Sequence, residues 1–194
     1  MDCPVCLSDE LTKLRHPNNY EVSITQPSFG TIILECLNCN FVFSDFIHPK
    51  IFEFFYKHIC RSSASPEDFI RLRAGAKKSG ESQLTTIKPF LSDTLGRVFD
   101  YGGGSGEAAR LFLPFASEVY ISEMDPKTIA HIREEPRLNL IEKNELLKDD
   151  YMNFFDLIIF SNVLEHMSHP FSVLEELSKL LVRDGKLFLS LIHI

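Results

Sequence analysis

Residues 98–106 read Val-Phe-Asp-Tyr-Gly-Gly-Gly-Ser-Gly, an apolar run that ends on an acid and then breaks into glycines. Glycine at 102, 104 and 106 permits positive φ and lets backbone approach a ligand with no Cβ in the way. A helix beginning near Glu107 turns its free N–H groups and the positive end of its dipole toward the same point. Above the carboxyl end of a parallel sheet, such a turn holds a ligand with polar or anionic groups. The spacing narrows the choice. A dinucleotide turn, G-x-G-x-x-G, counted from Gly102 requires its third glycine where Glu107 stands, which disfavours a nicotinamide-dependent oxidoreductase. A G-x-x-x-x-G-K-[ST] phosphate loop fails because Glu107, not lysine, follows Gly106. What remains is Asp100-x-Gly102-x-Gly104-x-Gly106. Glu123 ends the next apolar run, Val119–Ser122, about 20 residues beyond Gly102, the offset at which β-α-β units place an acid that accepts from ribose hydroxyls. Plainer uses stay open: Asp100 could cap the next helix or bond local amides, and Glu123 could be a solvated strand-end acid.

A second group of residues suits metal chemistry. Cys3-Pro4-Val5-Cys6 and Cys36-Leu37-Asn38-Cys39 are two C-x-x-C pairs, and four thiolates so paired suit a closed tetrahedral zinc site. The separation, residues 7–35, exceeds the usual interval of about 15–20. Strand-like pieces at Tyr20–Thr25 and Thr31–Cys36 can form a hairpin that closes the gap. Asn40 follows the second pair, where positive φ is wanted and asparagine tolerates it; Leu7 follows the first pair and fits less well. A thioredoxin-like redox pair lacks its β-α-β context here. Cys60 is unpaired and reads as a buried apolar residue.

These residues need elements to position them. Residues 1–45 read as the zinc module and 46–96 as a helical lead-in, with helices over Ile51–His58, Pro66–Lys78 and Gln83–Leu91. Ser65 and Pro66 make a helix start. Residues 97–194 alternate, with strands at 97–101, 118–122, 138–142, 155–161 and 185–190 and helices near 105–115, 126–134 and 170–182. That alternation predicts a parallel sheet with helices on both faces.

Asp100-x-Gly-x-Gly-x-Gly resembles the first motif of the class I S-adenosylmethionine-dependent methyltransferases. The resemblance continues through Glu123-Met124-Asp125-Pro126, through Phe155–His166 as the fourth strand and the segment leaving it, and through Val182–Leu189 as the turn into the fifth. It covers residues 97–189, about half the chain. It implies an α/β, Rossmann-like parallel-sheet methyltransferase core behind a small N-terminal zinc ribbon, using S-adenosylmethionine and a structural zinc. The residues expected at the donor are Asp100, Gly102, Gly104, Gly106, Glu123, Ser161 and Asn162, with Asn144 roughly where the family often places a group that contacts adenine. Cys3, Cys6, Cys36 and Cys39 are the expected metal ligands. His166, after the fourth strand, is the first candidate for a base that takes a proton from the acceptor, against a local packing role. Glu165 either orients it or faces solvent, and His169 reads as a helix-entry residue. A zinc knuckle ahead of such a core resembles bacterial methyltransferases of sugar, polysaccharide and secondary-metabolite pathways, although the Asp-Leu-Gly-x-x-Pro stretch of the sugar C-methyltransferases is missing. The alternative is a non-catalytic binding module with a vestigial pocket.

The family's sheet has seven strands and this sequence supplies about five, so the core is expected to be truncated before an antiparallel hairpin. The final Leu-Ser-Leu-Ile-His-Ile resembles a translated sequencing adapter, which leaves 189–194 as non-native and His193 outside the site.

Composition sets broad bounds. Charged and hydrophobic fractions of 24% and 44% are those of an ordinary soluble globular chain. A net charge of −7 argues against a general nucleic-acid binder. Arg71, Arg73, Lys77 and Lys78 read as a solvated helix face. No apolar run approaches the roughly 18 residues of a membrane span, and the N-terminus lacks a signal pattern. A cytoplasmic protein with reduced thiols is expected, and the resemblance adds a small-molecule methyl acceptor.

Overall fold

The computed structural model describes residues 2–13, 33–44, 65–142, 145–146, 149–167 and 169–191. At the N-terminal end, β1 (Leu11–Lys13), β2 (Ile33–Cys36) and β3 (Val42–Ser44) form an antiparallel sheet with β2 in the middle. Leu11 pairs with Cys36, so the β1–β2 ladder itself carries the second cysteine pair toward the first. The expected strand at Tyr20–Thr25 and helix at Ile51–His58 lie outside the described residues, as does Cys60.

The second sheet is built from β4 (Leu95–Tyr101), β5 (Ala116–Ser122), β6 (Leu138–Leu140), β7 (Phe155–Ser161) and β8 (Leu181–Ser190). Its order is β6-β5-β4-β7-β8 and all four pairings are parallel. These are the five strands the alternation predicts, in chain order from β4 outward in both directions. The winding therefore reverses at β4 and β7, and a crevice opens beyond their carboxyl ends.

A parallel sheet must be covered on both faces, and its strands carry apolar residues on both. Val98, Val119, Ile121, Leu157 and Ile159 pack on one face with Ile87, Phe112 and Ile132. Phe99, Ile158 and Phe160 pack on the other with Leu177 and Leu180. Four helices lie among the described residues: α1 (Pro66–Ile87), α2 (Glu107–Arg110), α3 (Pro126–Ile132) and α4 (Pro170–Leu180). None is long and apolar enough to cross a membrane.

Two helix expectations are corrected. The pair expected at Pro66–Lys78 and Gln83–Leu91 is one helix of 22 residues, α1, followed by a 3₁₀ turn at Lys88–Phe90. Gly80 does not break it. Gly80 is buried where α1 meets α2, and a Cβ there would stand 2.9 Å from Ala108 Cα, so glycine permits close helix contact. The start is as expected: Ser65 and Asp68 form a reciprocal capping box, and Pro66 opens the helix. The helix expected at 105–115 is only four residues long, after which turns lead into β5. Pro114 has no N–H, and the residue before a proline is pushed away from helical backbone, so the chain leaves the helix early.

Candidate functional site

The glycine turn sits where the winding reverses. Gly102, Gly104 and Gly106 have φ of 68°, 56° and 75°, a region that costs other residues strain. Its first amides are pinned to the neighbouring strand: Gly102 N–H donates to Ser122 Oγ at 3.2 Å and Gly103 N–H to the Ser122 carbonyl at 3.1 Å. Gly103, which the motif leaves as any residue, is the tightest position. A Cβ on it would fall 2.6 Å from Asp100 Oδ2 and 2.7 Å from Ile121 Cδ1. At Gly102 a Cβ would meet Val163 Cγ2 at 2.9 Å. The turn is thus closed against β5 on one side and the segment after β7 on the other.

Asp100 lies beneath this turn and is 3% exposed. It caps no helix, since the N-cap of α2 is Gly106 with no side-chain bond. Its Oδ2 is buried without a hydrogen-bond partner. Burial, reinforced by the nearby Glu123 charge, pushes its carboxyl up to about 7. Glu123, at the end of β5, holds Oε1 against two amides, Met124 N–H at 2.6 Å and Asp125 N–H at 3.0 Å. Asp125 caps α3 by accepting from Thr128 N–H at 2.8 Å, and Pro126 starts the helix.

The β7 side supplies the opposite wall. Ser161 ends the strand and accepts a 2.6 Å hydrogen bond from Gln83 Nε2 on α1. Asn162 is exposed with φ of 55°, and its N–H donates to the Ser190 carbonyl at 2.8 Å. His166 and Glu165 are exposed in the 3₁₀ turn Leu164–His166 that leaves β7. His169 is the N-cap residue of α4, but its side chain makes no capping bond. Asn144 lies outside the described residues.

Behind the turn sits a different carboxylate. Glu107, 8% exposed, receives Arg73 Nε at 2.6 Å on Oε1, with Arg110 Nη1 at 3.5 Å and His131 Nε2 at 3.7 Å from the same oxygen. Arg73 therefore leaves the solvated face expected for the basic cluster and ties α1 to α2. Arg71, Lys77 and Lys78 are exposed as expected.

The four N-terminal cysteines come together. Their sulfurs all lie within 4.8 Å of one another, with Cys3–Cys39 at 3.6 Å and Cys6–Cys36 at 3.5 Å. A tetrahedron with Zn–S bonds of about 2.3 Å has S–S edges of about 3.8 Å, whereas a disulfide needs about 2.05 Å. The cluster therefore fits a tetrahedral thiolate centre. Both knuckles close alike, Leu7 N–H on the Cys3 carbonyl at 2.9 Å and Asn40 N–H on that of Cys36 at 2.8 Å. Leu7 takes φ of 60° and Asn40 57°, so the leucine that suits this turn poorly adopts it all the same. The Asn38 amide, then the Ser8 backbone, donate to Cys6 and lower its thiol to about 6.

Sequence reasoning missed Gly103, Ser122 and Gln83. The unbroken glycine run was the signal for the first. Ser122 adjoins Glu123 but carries no spacing rule, and nothing local marks Gln83.

Residues 67–193 match the family described as Methyltransferase domain. No curated protein matches the sequence. Among solved structures, a chain in the complex between the Haloferax volcanii Trm112 methyltransferase activator and a candidate methyltransferase is 14% identical with a TM-score of 0.53, over 71% of this chain and 58% of that one. YcgJ from Bacillus subtilis is 21% identical with a TM-score of 0.49, over 56% of this chain and 49% of that one. An S-adenosylmethionine-dependent methyltransferase from Mesorhizobium loti is 20% identical with a TM-score of 0.47, over 55% and 52%. The chain spans about half the length of the first structures it matches. With a family match over most of its length and the sheet order and glycine turn described above, this chain belongs to the methyltransferase domain family.

Proposed function

We propose that this protein transfers a methyl group from S-adenosylmethionine to a small-molecule acceptor, such as a sugar, a polysaccharide precursor or a secondary metabolite. The observation that carries the reading is Asp100, a buried carboxylate with a partnerless oxygen under a turn that a Cβ at Gly103 would fill. An ammonium group is the partner it lacks. The donor presents one on its amino-acid end, and its sulfonium methyl is displaced in line by the acceptor, which leaves a neutral thioether.

The chain's residues bind and orient. Asp100 takes the donor's ammonium, and the glycine backbone at 102, 104 and 106 lies along its amino-acid end. Glu123 keeps Oε1 on the Met124 and Asp125 amides that lead into α3 and offers Oε2 to the ribose hydroxyls, while Asn144 is assigned to the adenine. Ser161 and Asn162 bound the crevice on the β7 side. Alignment of two reactants can remove about 7–11 kcal/mol of a barrier, so positioning is the main work. Where the acceptor must lose a proton, His166 at the exit of β7 takes it; such a base contributes typically about 10²–10⁴-fold. Cys3, Cys6, Cys36 and Cys39 would hold a structural zinc through their four thiolates, and four cysteines not joined in disulfides suit the cytoplasm.

A transfer assay with labelled S-adenosylmethionine against nucleotide sugars and phenolic metabolites tests the reading. Turnover that falls about a hundredfold or more in His166→Ala while donor binding persists supports both the activity and the base. Donor binding with no turnover on any acceptor class points instead to a binding module. Purified protein should carry about one zinc per chain, lost in Cys36→Ser.

A further inference from the structure

The sheet face under α4 holds a cavity that none of the described donor-site residues lines. A parallel sheet needs cover across both faces. Among the described residues, the link from β6 to β7 carries a 3₁₀ turn at Asp149–Tyr151 and no α-helix. A cavity of about 240 Å³ opens between this link and α4, with the end of β4 as its third side.

Its walls are apolar and its rim is charged. Positions 173, 176 and 177 of α4 stand on one face of the helix, and all three line the cavity. Val173 and the buried Leu177 meet Leu146, buried in the β6–β7 link. On the β4 side Tyr101 is held by its ring, edge-on to Phe160 at 5.2 Å and to Phe99 at 5.9 Å. Its hydroxyl has no hydrogen-bond partner among the described residues. Burial, then the Glu176 charge, raises that hydroxyl above its ordinary value, so it stays neutral. Lys179 also lines the cavity, but its ammonium lies 3.5 Å from Glu175. Glu176 has no ion pair among the described residues. The cavity is therefore apolar inside, with one uncompensated negative charge at its exposed mouth.

That combination selects a ligand. An apolar cavity of about 150 Å³ holds a benzene ring, and this one has room for a ring with a short arm. A cationic end on that arm meets Glu176. We propose that the cavity between α4 and the β6–β7 link binds a small arylalkyl amine, with the ring among Leu146, Val173 and Leu177 and the ammonium donating to Glu176 and to the Tyr101 oxygen. The proposal stands apart from the methyl-transfer reading, because the cavity lies on the face of the sheet and the crevice lies beyond its strand ends.

The test titrates the full 194-residue chain, labelled with nitrogen-15, with two probes. 2-Phenylethylamine and 3-phenylpropionate share a ring and a two-carbon arm and differ in the sign of the charge. The amine should shift the amide signals of Tyr101, Val173 and Leu177 and bind about tenfold more tightly than the carboxylate. Glu176→Gln should weaken the amine about two- to fivefold, the size of an exposed ion pair, and strengthen the carboxylate by a similar factor, so that the preference disappears. Added salt should weaken the amine in wild type and not in Glu176→Gln. Val173→Phe fills the cavity and should abolish binding of both probes. If that variant does not fold, Glu176→Gln still decides, since its position is exposed. Equal affinity for the two probes, amine affinity unchanged in Glu176→Gln, or no shifts at the three cavity residues overturns the proposal.

Discussion

Two buried carboxylates stand seven residues apart at the same turn, and they are treated in opposite ways. Glu107 has an arginine at 2.6 Å, a second at 3.5 Å and a histidine at 3.7 Å, all on one oxygen. Asp100 has no partner on Oδ2, and the charge that most affects it is another acid, Glu123. Glu107 is what a structural carboxylate looks like: it ties α1 to α2 and its charge is balanced from within. Asp100 is stabilised by nothing the described residues supply, and a folded chain keeps such a group where a ligand completes it. The front of the turn leaves Asp100 without a balancing charge, while at the back Arg73 and Arg110 balance Glu107.

The largest effect that could break this comparison is a gain in stability. Asp100 rises from an ordinary 3.8 to about 7, so the native chain holds a proton that the unfolded chain has released. Asp100 therefore contributes fully below about pH 4 and loses that contribution as pH climbs through about 7. At about pH 8, Asp100→Asn should be more stable than wild type by roughly 4 kcal/mol, the difference shrinking toward zero near pH 4. Urea titrations across that range check it, and a loss of stability at about pH 8 would mean that Asp100 is partnered after all.

Glu107→Ala should act with the opposite sign. It removes the carboxylate from Arg73, while Arg110 keeps its hydrogen bond to the Ser105 carbonyl, and because Arg73 is 38% exposed the loss should be about 2–3 kcal/mol, below that of a fully buried pair. The same titrations read it. A neutral result would remove the contrast between the two carboxylates. A smaller effect sharpens the front of the turn alone. Gly103→Ala must displace Asp100 or Ile121, which should destabilise by about 1–3 kcal/mol and reduce donor affinity by more than the stability loss predicts.

The contrast was only half readable beforehand. Asp100, the glycines and Glu123 were legible because a ligand-binding turn imposes fixed spacings along one stretch of chain. The five parallel strands followed from the strand–helix alternation, whereas their order is known only from the fold. Arg73 and Gln83 were not, since each acts across a fold that brings residues 34 and 78 positions distant into contact. The lead-in was read as two helices, whereas Gly80 stands inside one continuous helix and answers a steric demand from Ala108 that exists only after packing. Leu7 misled in the other direction: the cysteine cluster forces a left-handed residue where sequence preference argues against one.

The most direct measurement is the proton balance of S-adenosylhomocysteine binding, taken by calorimetry in buffers of different ionisation enthalpy. If the ligand ammonium completes Asp100, binding at about pH 6 releases close to one proton per site, binding at about pH 8 releases close to none, and Asp100→Asn abolishes the release. Tight binding with no proton released at about pH 6, or an unchanged release in Asp100→Asn, would contradict the account.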